Sequence, residues 1–326
     1  MSLKEQSVSP FDKKIIVTGG NGFLGSNVVS ELKGAGYTDI FVPRSADYDL
    51  KDPSQVQKLL NDQPANQVIH LAAKAGGIGA NRTWPGEYFY DNALMGIHII
   101  EECRKANIEK LVMIGTICSY PKFTPVPFKE EDLWDGYPEE TNAPYGLAKK
   151  MQLVQAQAYR DQYGMNIIYL MPANLYGPGD NFKTESSHVI PALIRKFSEA
   201  VNENADTVEI WGSGTATREF LYVDDAARGI VLATDNYDDK DPINLGSGNE
   251  ISIIDLANMI SELVGFTGKI TLNTDMPDGQ PKRSLDVTKA AQLFGFEAET
   301  DLRVGLENTI TYWKNQAGAA RSSEPR

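Results

Sequence analysis

Short apolar runs alternate with longer amphipathic stretches through the first half of the chain. The spacing of apolar residues predicts helices at 21–32, 88–106 and 145–163. Five apolar runs predict strands: KIIVTGG at 14–20, DIFVPR at 39–44, VIHLAA at 68–73, KLVMIGT at 110–116 and NIIYLMP at 166–172. Strands that are apolar throughout and alternate with helices are typical of a parallel sheet covered on both faces. We therefore predict an α/β fold with a doubly wound parallel sheet.

The pattern becomes less regular after residue 172. Glycine-rich loops, NLYGPGDNF at 174–182 and WGSGTATREF at 211–220, separate predicted helices at 189–202, 224–234, 253–263 and 302–315. We predict a main-sheet domain over 12–173 and 220–244, and a smaller, mixed α/β C-terminal domain over 174–219 and 245–316. Loose tails are predicted at 1–11 and 317–326. The boundary stays open, because the chain can return to the main sheet between 223 and 245.

Charge and composition narrow the class of partner. The 326 residues include 44 Asp and Glu against 31 Lys and Arg, a formal net charge of −13. Nucleic-acid phosphates need a basic face, so we expect no nucleic-acid partner. Cys103 and Cys118 form neither a metal pattern nor a disulfide framework. No apolar run reaches the roughly 20 residues of a membrane span, and residues 1–14 lack a signal peptide's apolar core. We expect a cytoplasmic protein without metal or membrane partner.

A glycine loop joins the first predicted strand to the first helix. In VTGGNGFLG, Gly19, Gly22 and Gly25 stand three residues apart at 17–25, which is the dinucleotide-binding pattern of a Rossmann-type sheet. The first glycine allows a tight turn, the second lets the backbone approach a pyrophosphate, and the third lets the helix pack on the strand. The helix N-terminus then attracts the anion. A plain glycine-rich turn is the alternative.

The end of the second predicted strand bears on the choice of cofactor. An NAD site usually has an acidic residue there for the ribose diol, but this chain has Arg44 and Ser45. A guanidinium and a hydroxyl suit a 2′-phosphate, so we predict NADP. Two alternatives remain open: Arg44 is a solvated loop residue, or Asp47 or Asp49 binds the diol of NAD.

Three residues predict proton and hydride chemistry. Thr116 follows the fourth strand, and Tyr145 and Lys149 share one face of a helix at i, i+4 spacing. Together they supply a phenol, an ammonium that favours the phenolate, and a hydroxyl that orients a substrate oxygen. This chemistry serves hydride transfer between a nicotinamide and a carbonyl. A surface aromatic–lysine pair is the alternative.

Longer motifs give a more specific resemblance. They include AAKAGGI at 72–78, CSYPK at 118–122, EETNAPYGLAK at 139–149, PANLYGP at 172–178, DNF at 180–182, SHVIPALIR at 187–195 and PDGQPKR at 277–283. From about residue 14 to 313, the chain resembles the extended short-chain dehydrogenase/reductases. Within them it is similar to the GDP-L-fucose synthase family, which acts on GDP-4-keto-6-deoxy-mannose as a 3,5-epimerase and 4-reductase.

The resemblance implies a role for each matching position. Tyr145 protonates the C4 oxygen while NADPH reduces C4, and Lys149 holds the nicotinamide ribose and lowers the phenol pKa. Cys118 and His188 are the acid/base pair of epimerisation; a 4-keto group acidifies the C3 and C5 hydrogens that this pair exchanges. The nucleotide sugar binds at Trp211, Arg218 and Lys282, joined by Lys196. The predicted cofactor contacts are Gly19, Gly20, Asn21, Gly22, Phe23, Leu24, Gly25, Arg44, Ser45, Ala72, Ala73, Ile114, Gly115, Lys149, Pro172, Ala173, Asn174, Leu175 and His188.

The resemblance also implies NADP in the main-sheet domain, the GDP-sugar in the smaller one, and a homodimer through helices 88–106 and 145–163. Two positions depart from the family: Thr116 stands where it usually has Ser, and Ser119 where it usually has an apolar residue. A GDP-ketosugar 4-reductase without epimerisation, on a heptose for instance, therefore stays open. So do a redox-neutral NAD-dependent nucleotide-sugar 4-epimerase and a dinucleotide-binding regulator without activity.

Overall fold

The computed structural model describes residues 13–276 and 278–322. Its strands are β1 (Ile15–Thr18), β2 (Ile40–Phe41), β3 (Gln67–His70), β4 (Lys110–Ile114), β5 (Ile167–Pro172), β6 (Asn174–Tyr176), β7 (Thr207–Trp211), β8 (Thr217–Tyr222), β9 (Ile243–Leu245), β10 (Glu250–Ser252) and β11 (Lys269–Asn273). Its α-helices are α1 (Phe23–Gly34), α2 (Pro53–Asp62), α3 (Ile78–Thr83), α4 (Pro85–Lys105), α5 (Ala143–Tyr163), α6 (Val189–Glu203), α7 (Val223–Asn236), α8 (Ile253–Val264), α9 (Thr288–Phe294) and α10 (Leu302–Ser322).

The main sheet has six parallel strands in the order β2-β1-β3-β4-β5-β9. The predicted doubly wound α/β fold is confirmed. Helices α2, α4 and α5 pack together, and so do α1, α7 and α9. Strands β1, β3, β4 and β5 are buried along their whole length, which explains their uninterrupted apolar sequence. Strand β9 pairs with β5, so the chain does return to the main sheet within 223–245.

The later part of the chain forms two smaller sheets and a second hydrophobic core. One sheet has the order β10-β8-β6, with an antiparallel and a parallel pair, and the other pairs β11 with β7 in parallel. The second core lies among α6, α8, α10 and these strands, with Ile194, Phe197 and Leu256 fully buried. The smaller mixed α/β part that the sequence predicts is therefore present.

Several segments differ from the predicted pattern. Helix α2 was not predicted, although Asp52 caps it by accepting the N–H of Ser54 and Pro53 occupies its first turn. The final helix α10 runs to Ser322, six residues into the predicted tail at 317–326. The predicted tail at 1–11 and residues 323–326 lie outside the described residues.

A buried carboxylate connects the two parts of the fold. Glu219 on β8 is fully buried and accepts the backbone N–H groups of Ser247, Gly248 and Leu285, at 2.6, 2.9 and 2.6 Å. Burial raises the pKa of Glu219, and these hydrogen bonds lower it. The side chain thereby joins β8 to the loop after β9 and to the segment before α9.

Across residues 13–276 and 278–322, no helix combines the length and apolar character of a membrane span. In the same ranges, no group of His, Cys, Asp and Glu side chains is arranged to hold a metal ion.

Candidate active site

A cavity of about 1920 Å³ lies where the strands of the main sheet end. Its lining comes from the segments that follow β1, β2, β3, β4 and β5, and from α5, α6, β8 and the 278–283 segment. The carboxyl ends of parallel strands are the usual ligand site of such sheets. All the predicted site residues line this cavity except Gly20 and Lys282.

The glycine loop forms a close turn between β1 and α1. Gly19 has a φ of +71°, and a Cβ at Gly25 would overlap the carbonyl oxygen of Gly19. Gly22 is the N-cap of α1, with no side-chain cap and no acidic residue in the first turn. The free N–H groups of this helix end therefore face the cavity without a competing anion. Gly20 packs against Val42, where a Cβ would come within 2.8 Å of a side-chain carbon, and its predicted cofactor contact stays a prediction.

Side chains of both signs follow β2 at one end of the cavity. Arg44 and Ser45 are exposed and line it, as does Lys51. Asp49 also lines it, but one of its oxygens accepts the N–H of Lys51 at 3.0 Å. Asp47 is not in the lining.

Tyr145, Lys149 and Thr116 meet beside the end of β4. Tyr145 is hydrogen-bonded to the hydroxyl of Thr116, and that hydroxyl also accepts the N–H of Cys118 at 3.2 Å. Lys149 lies one turn along α5 and is 2% exposed. Burial lowers the pKa of Lys149 to about 8. Tyr169 on β5 donates its hydroxyl to the carbonyl of Lys149 at 2.6 Å and fixes this turn of the helix.

Burial raises the pKa of Tyr145, and the interaction with Thr116 offsets only part of that rise. The expected lowering of this pKa by the ammonium of Lys149 stays a prediction. A phenol shielded from water resists ionisation, because the phenolate loses its hydration. The side chain is therefore held in its protonated form at neutral pH, as a proton donor requires.

Cys118 lies in a 3-10 helix (Ile117–Ser119) directly after β4 and is half-buried. Gly146 packs so closely on its carbonyl group that a Cβ would overlap it, which fixes Cys118 against the start of α5. A guanidinium nitrogen of Arg283 lies 3.4 Å from Sγ. Arg283 is buried, lines the cavity and also donates to the side chain of Gln280 at 3.0 Å.

Lys282 was the predicted sugar-binding cation of this segment, and its role stays a prediction. Lys282 is exposed and lies outside the cavity lining, whereas the neighbouring Arg283 points inward. Adjacent residues in an extended segment face opposite sides, and the carbonyl of Arg283 accepts the N–H of Glu219 on β8. The PDGQPKR motif predicts a cation here, but only this pairing shows which one faces the ligand.

His188 is the N-cap residue of α6, on the same cavity as Cys118. Its side chain is 45% exposed, and its Nδ1 lies 3.9 Å from an oxygen of Asp180. The sequence analysis did not assign Asp180, although it lies in the quoted DNF motif at 180–182.

Two predicted sugar-site cations are already engaged. Arg218 donates to the carbonyls of Thr217, Asp278 and Gln280, at 2.7, 2.9 and 2.6 Å. Its burial lowers its pKa to about 9, so the guanidinium stays charged at neutral pH. Lys196 donates to the carbonyl of Glu209 at 3.0 Å and lies 5.9 Å from the ring centroid of Trp211.

Arg195 is a more available cation in the same cavity, and the sequence analysis missed it. Its side chain is 13% exposed, and its nearest charged partner, Glu199, is 3.8 Å away. Its Nε is buried and has no hydrogen-bond partner among the described residues. Arg195 stands seven residues after His188, which places both on one face of α6, and this spacing was a usable signal.

Known proteins are similar in sequence to nearly the whole of this chain. Residues 15–246 match the model of the NAD dependent epimerase/dehydratase family. A GDP-L-fucose synthase from Sinorhizobium fredii is 42% identical over 90% of this chain and 93% of its own length.

Two solved structures are similar in fold. A GDP-L-fucose synthetase from Naegleria fowleri bound to NADP has a TM-score of 0.86 and 29% identity, over 95% of this chain and 96% of that chain. A GDP-6-OMe-4-keto-L-xylo-heptose reductase from C. jejuni has a TM-score of 0.88 and 28% identity, over 94% of this chain and 99% of that chain. The chain belongs to the NAD dependent epimerase/dehydratase family and, within it, to the GDP-L-fucose synthase family.

Proposed function

We propose that this protein is a GDP-4-keto-6-deoxy-mannose epimerase/reductase, which forms a GDP-6-deoxy sugar of the GDP-L-fucose type. The observation that carries the proposal is a single cavity that holds both a Thr116–Tyr145–Lys149 group and a Cys118–His188 pair. Reduction of a ketone needs the first set, and inversion of the neighbouring carbons needs the second. The sequence identity to a GDP-L-fucose synthase over 90% of the chain supports the same substrate.

The glycine loop and the α1 N-terminus fit the pyrophosphate of a dinucleotide, because a side chain at Gly25 would overlap the loop and the helix end has no anion of its own. When bound, a reduced nicotinamide supplies the hydride that C4 of the sugar receives. Tyr145 then gives its proton to O4, and Thr116 orients that oxygen. The transfer leaves a phenolate at Tyr145, and the ammonium of Lys149, buried one helical turn away, offsets its negative charge and would hold the nicotinamide ribose.

Epimerisation uses the other pair. The 4-keto group makes the hydrogens at C3 and C5 acidic, and the resulting enolate places its charge on O4, where Thr116 and Tyr145 donate hydrogen bonds. Cys118 and His188 exchange a proton with the carbon from the two faces of the ring, since a thiol and an imidazole can each give up and take back a proton.

We propose NADPH rather than NADH as the reductant. Arg44, Ser45 and Lys51 offer donors to a 2′-phosphate, while one oxygen of Asp49 is already bonded to the chain. The ratio of NADPH to NADH turnover tests this, and a preference for NADH would overturn it.

We also propose that the NADP site belongs to a domain of 12–173 and 220–244, and the GDP-sugar site to 174–219 and 245–316. Apolar side chains on α4 and α5 remain exposed, among them Phe89, Tyr90 and Val154. Such faces favour pairing of two copies, so we propose a homodimer through these helices. Sedimentation at micromolar concentration tests it, and a monomer would contradict it.

The decisive experiment is turnover of GDP-4-keto-6-deoxy-mannose with NADPH in heavy water. We expect a GDP-6-deoxy sugar with inverted C3 and C5, each carrying deuterium. A product reduced at C4 without carbon-bound deuterium would instead indicate a 4-reductase, which the similarity to a heptose reductase and the Thr116 and Ser119 departures favour as the second candidate. Retention of tightly bound NAD without net reduction would indicate the redox-neutral epimerase.

A further inference from the structure

Asp180 is a buried carboxylate for which the proposed chemistry has no role so far. It follows Gly179 in the loop between β6 and α6, and its side chain is 3% exposed. It lines the same cavity as His188 and Cys118. One oxygen accepts the backbone N–H of Asn181 at 2.6 Å. The other oxygen is buried and has no hydrogen-bond partner within the described part of the chain.

A buried carboxylate oxygen without a partner costs free energy, so its retention calls for a compensating group. The imidazole of His188 lies beside this carboxylate: its Nδ1 is 3.9 Å from Oδ1, the oxygen that also accepts the Asn181 N–H. The His188 side chain makes no hydrogen bond to another described residue, so no such bond holds its ring away from the carboxylate.

The loop that carries both residues is braced at several points. The side chain of Asn181 accepts the N–H of Lys183 at 3.0 Å and donates to the hydroxyl of Ser186 at 2.8 Å. The carbonyl of Ser186 in turn accepts the N–H of Gly77 at 3.2 Å. Phe182 stacks on Trp313 with ring centroids 4.7 Å apart. Asp180 is therefore not needed as the sole support of the loop.

We infer that Asp180 is the positioning residue of His188: its carboxylate accepts Nδ1–H and presents Nε2 to the sugar carbon during epimerisation. This inference rests on the proposed function. When Nδ1 donates to a carboxylate, the tautomer is fixed and Nε2 is the nitrogen left for proton exchange. The negative charge of Asp180 also stabilises the imidazolium that forms while His188 holds the proton. The exposed side of the ring lets that proton exchange with solvent. Deuterium from heavy water therefore reaches the sugar carbon whenever His188 exchanges a proton with it.

The test is solvent-deuterium incorporation at C3 and C5 of GDP-4-keto-6-deoxy-mannose, with NADP+ replacing NADPH so that the ketone is not consumed. Asp180→Asn keeps the shape and the oxygen that accepts the Asn181 N–H, but loses the charge. We expect incorporation to be at least about 10-fold slower, a smaller loss than the roughly 10²–10⁴-fold of a complete general acid/base contribution. We also expect an unchanged KM and an unchanged rate of reducing an already epimerised ketone. Asp286→Asn is the matched control, since Asp286 also accepts a backbone N–H, at 2.9 Å, outside the cavity lining.

A double variant separates positioning from a structural role. In a His188→Gln background, Asp180→Asn is expected to slow exchange by less than about twofold, because Asp180 acts through the imidazole. A further large loss in that background, or wild-type exchange in Asp180→Asn alone, overturns the inference. Absence of exchange in the wild-type protein would overturn the proposed function as well, so the two failures are distinguishable.

Discussion

The two ends of the cavity are built in different ways. The end that we propose for the cofactor is made largely of backbone and small residues at strand ends: the 19–25 loop, the 72–73 segment after β3 and the 172–175 segment after β5. The end that we propose for the sugar is made of long side chains on α6, β7, β8 and the 278–283 segment, among them Lys196, Trp211, Arg218 and Arg283. The backbone sets the shape of the first end. At the second end, the shape depends on which of several neighbouring side chains points into the cavity.

This difference bears on what a sequence can predict. A glycine required by a close backbone contact is visible in the sequence, and 18 of the 19 residues predicted to contact the cofactor line the cavity, while the contacts themselves stay a prediction. At the sugar end the motif predicts a cation, but two adjacent candidates carry the same charge. Substitutions at each end test whether the two ends also differ in function.

Tyr145→Phe removes the proton donor to O4 and keeps the ring. We expect hydride transfer to fall roughly 10²–10⁴-fold, the usual contribution of a positioned acid. Single-turnover NADPH oxidation measures it, with the exposed Tyr137→Phe as control. Near-normal turnover would show that Tyr145 is not the proton donor to O4.

Cys118→Ser replaces the thiol with a hydroxyl, which is a far weaker acid. We expect deuterium incorporation at C3 and C5 to fall at least about 100-fold, while reduction of an already epimerised ketone survives. Mass spectrometry of the product counts the deuterons. Loss of both steps together would mean that Cys118 supports the whole cavity rather than one reaction.

Arg195→Gln and Lys282→Gln compare two cations near the sugar end. Arg195 has a buried donor without a partner, and Lys282 lies outside the lining. A charge-assisted hydrogen bond contributes about 1.5–3 kcal/mol, so we expect Arg195→Gln to raise the KM for the GDP-sugar about 10-fold or more. Lys282→Gln should change it less than about twofold. A larger rise in KM for Lys282→Gln than for Arg195→Gln would support the predicted role of Lys282. It would also show that the 278–283 segment changes its conformation when the GDP-sugar binds.

Thr116→Ser is the smallest expected change. The hydroxyl that bonds Tyr145 and Cys118 is kept and only a methyl group is lost, so we expect turnover within about threefold of wild type. Steady-state rates measure it. A change in product stereochemistry or in sugar preference would show that the methyl group shapes the pocket.

The sequence predicted the main sheet well because each buried strand is an apolar run between glycine or polar residues. It missed α2, where the Asp52–Pro53 capping signal was present but the helix buries only Val56, Leu59 and Leu60 on one side. Asp180 and Arg283 were missed for another reason. Their roles depend on which residue a folded loop turns inward, and that is decided by pairing with distant segments such as β8.

The order of strands along the chain has a practical consequence for protein engineering. The chain leaves the main sheet after β5, returns to it with β9, and leaves again for β10. Neither core is encoded by one uninterrupted stretch, so a simple N- or C-terminal truncation cannot yield either as a stand-alone fragment. Swapping sugar preference between relatives therefore requires exchanging separate inserts, or point substitutions, rather than one terminal module.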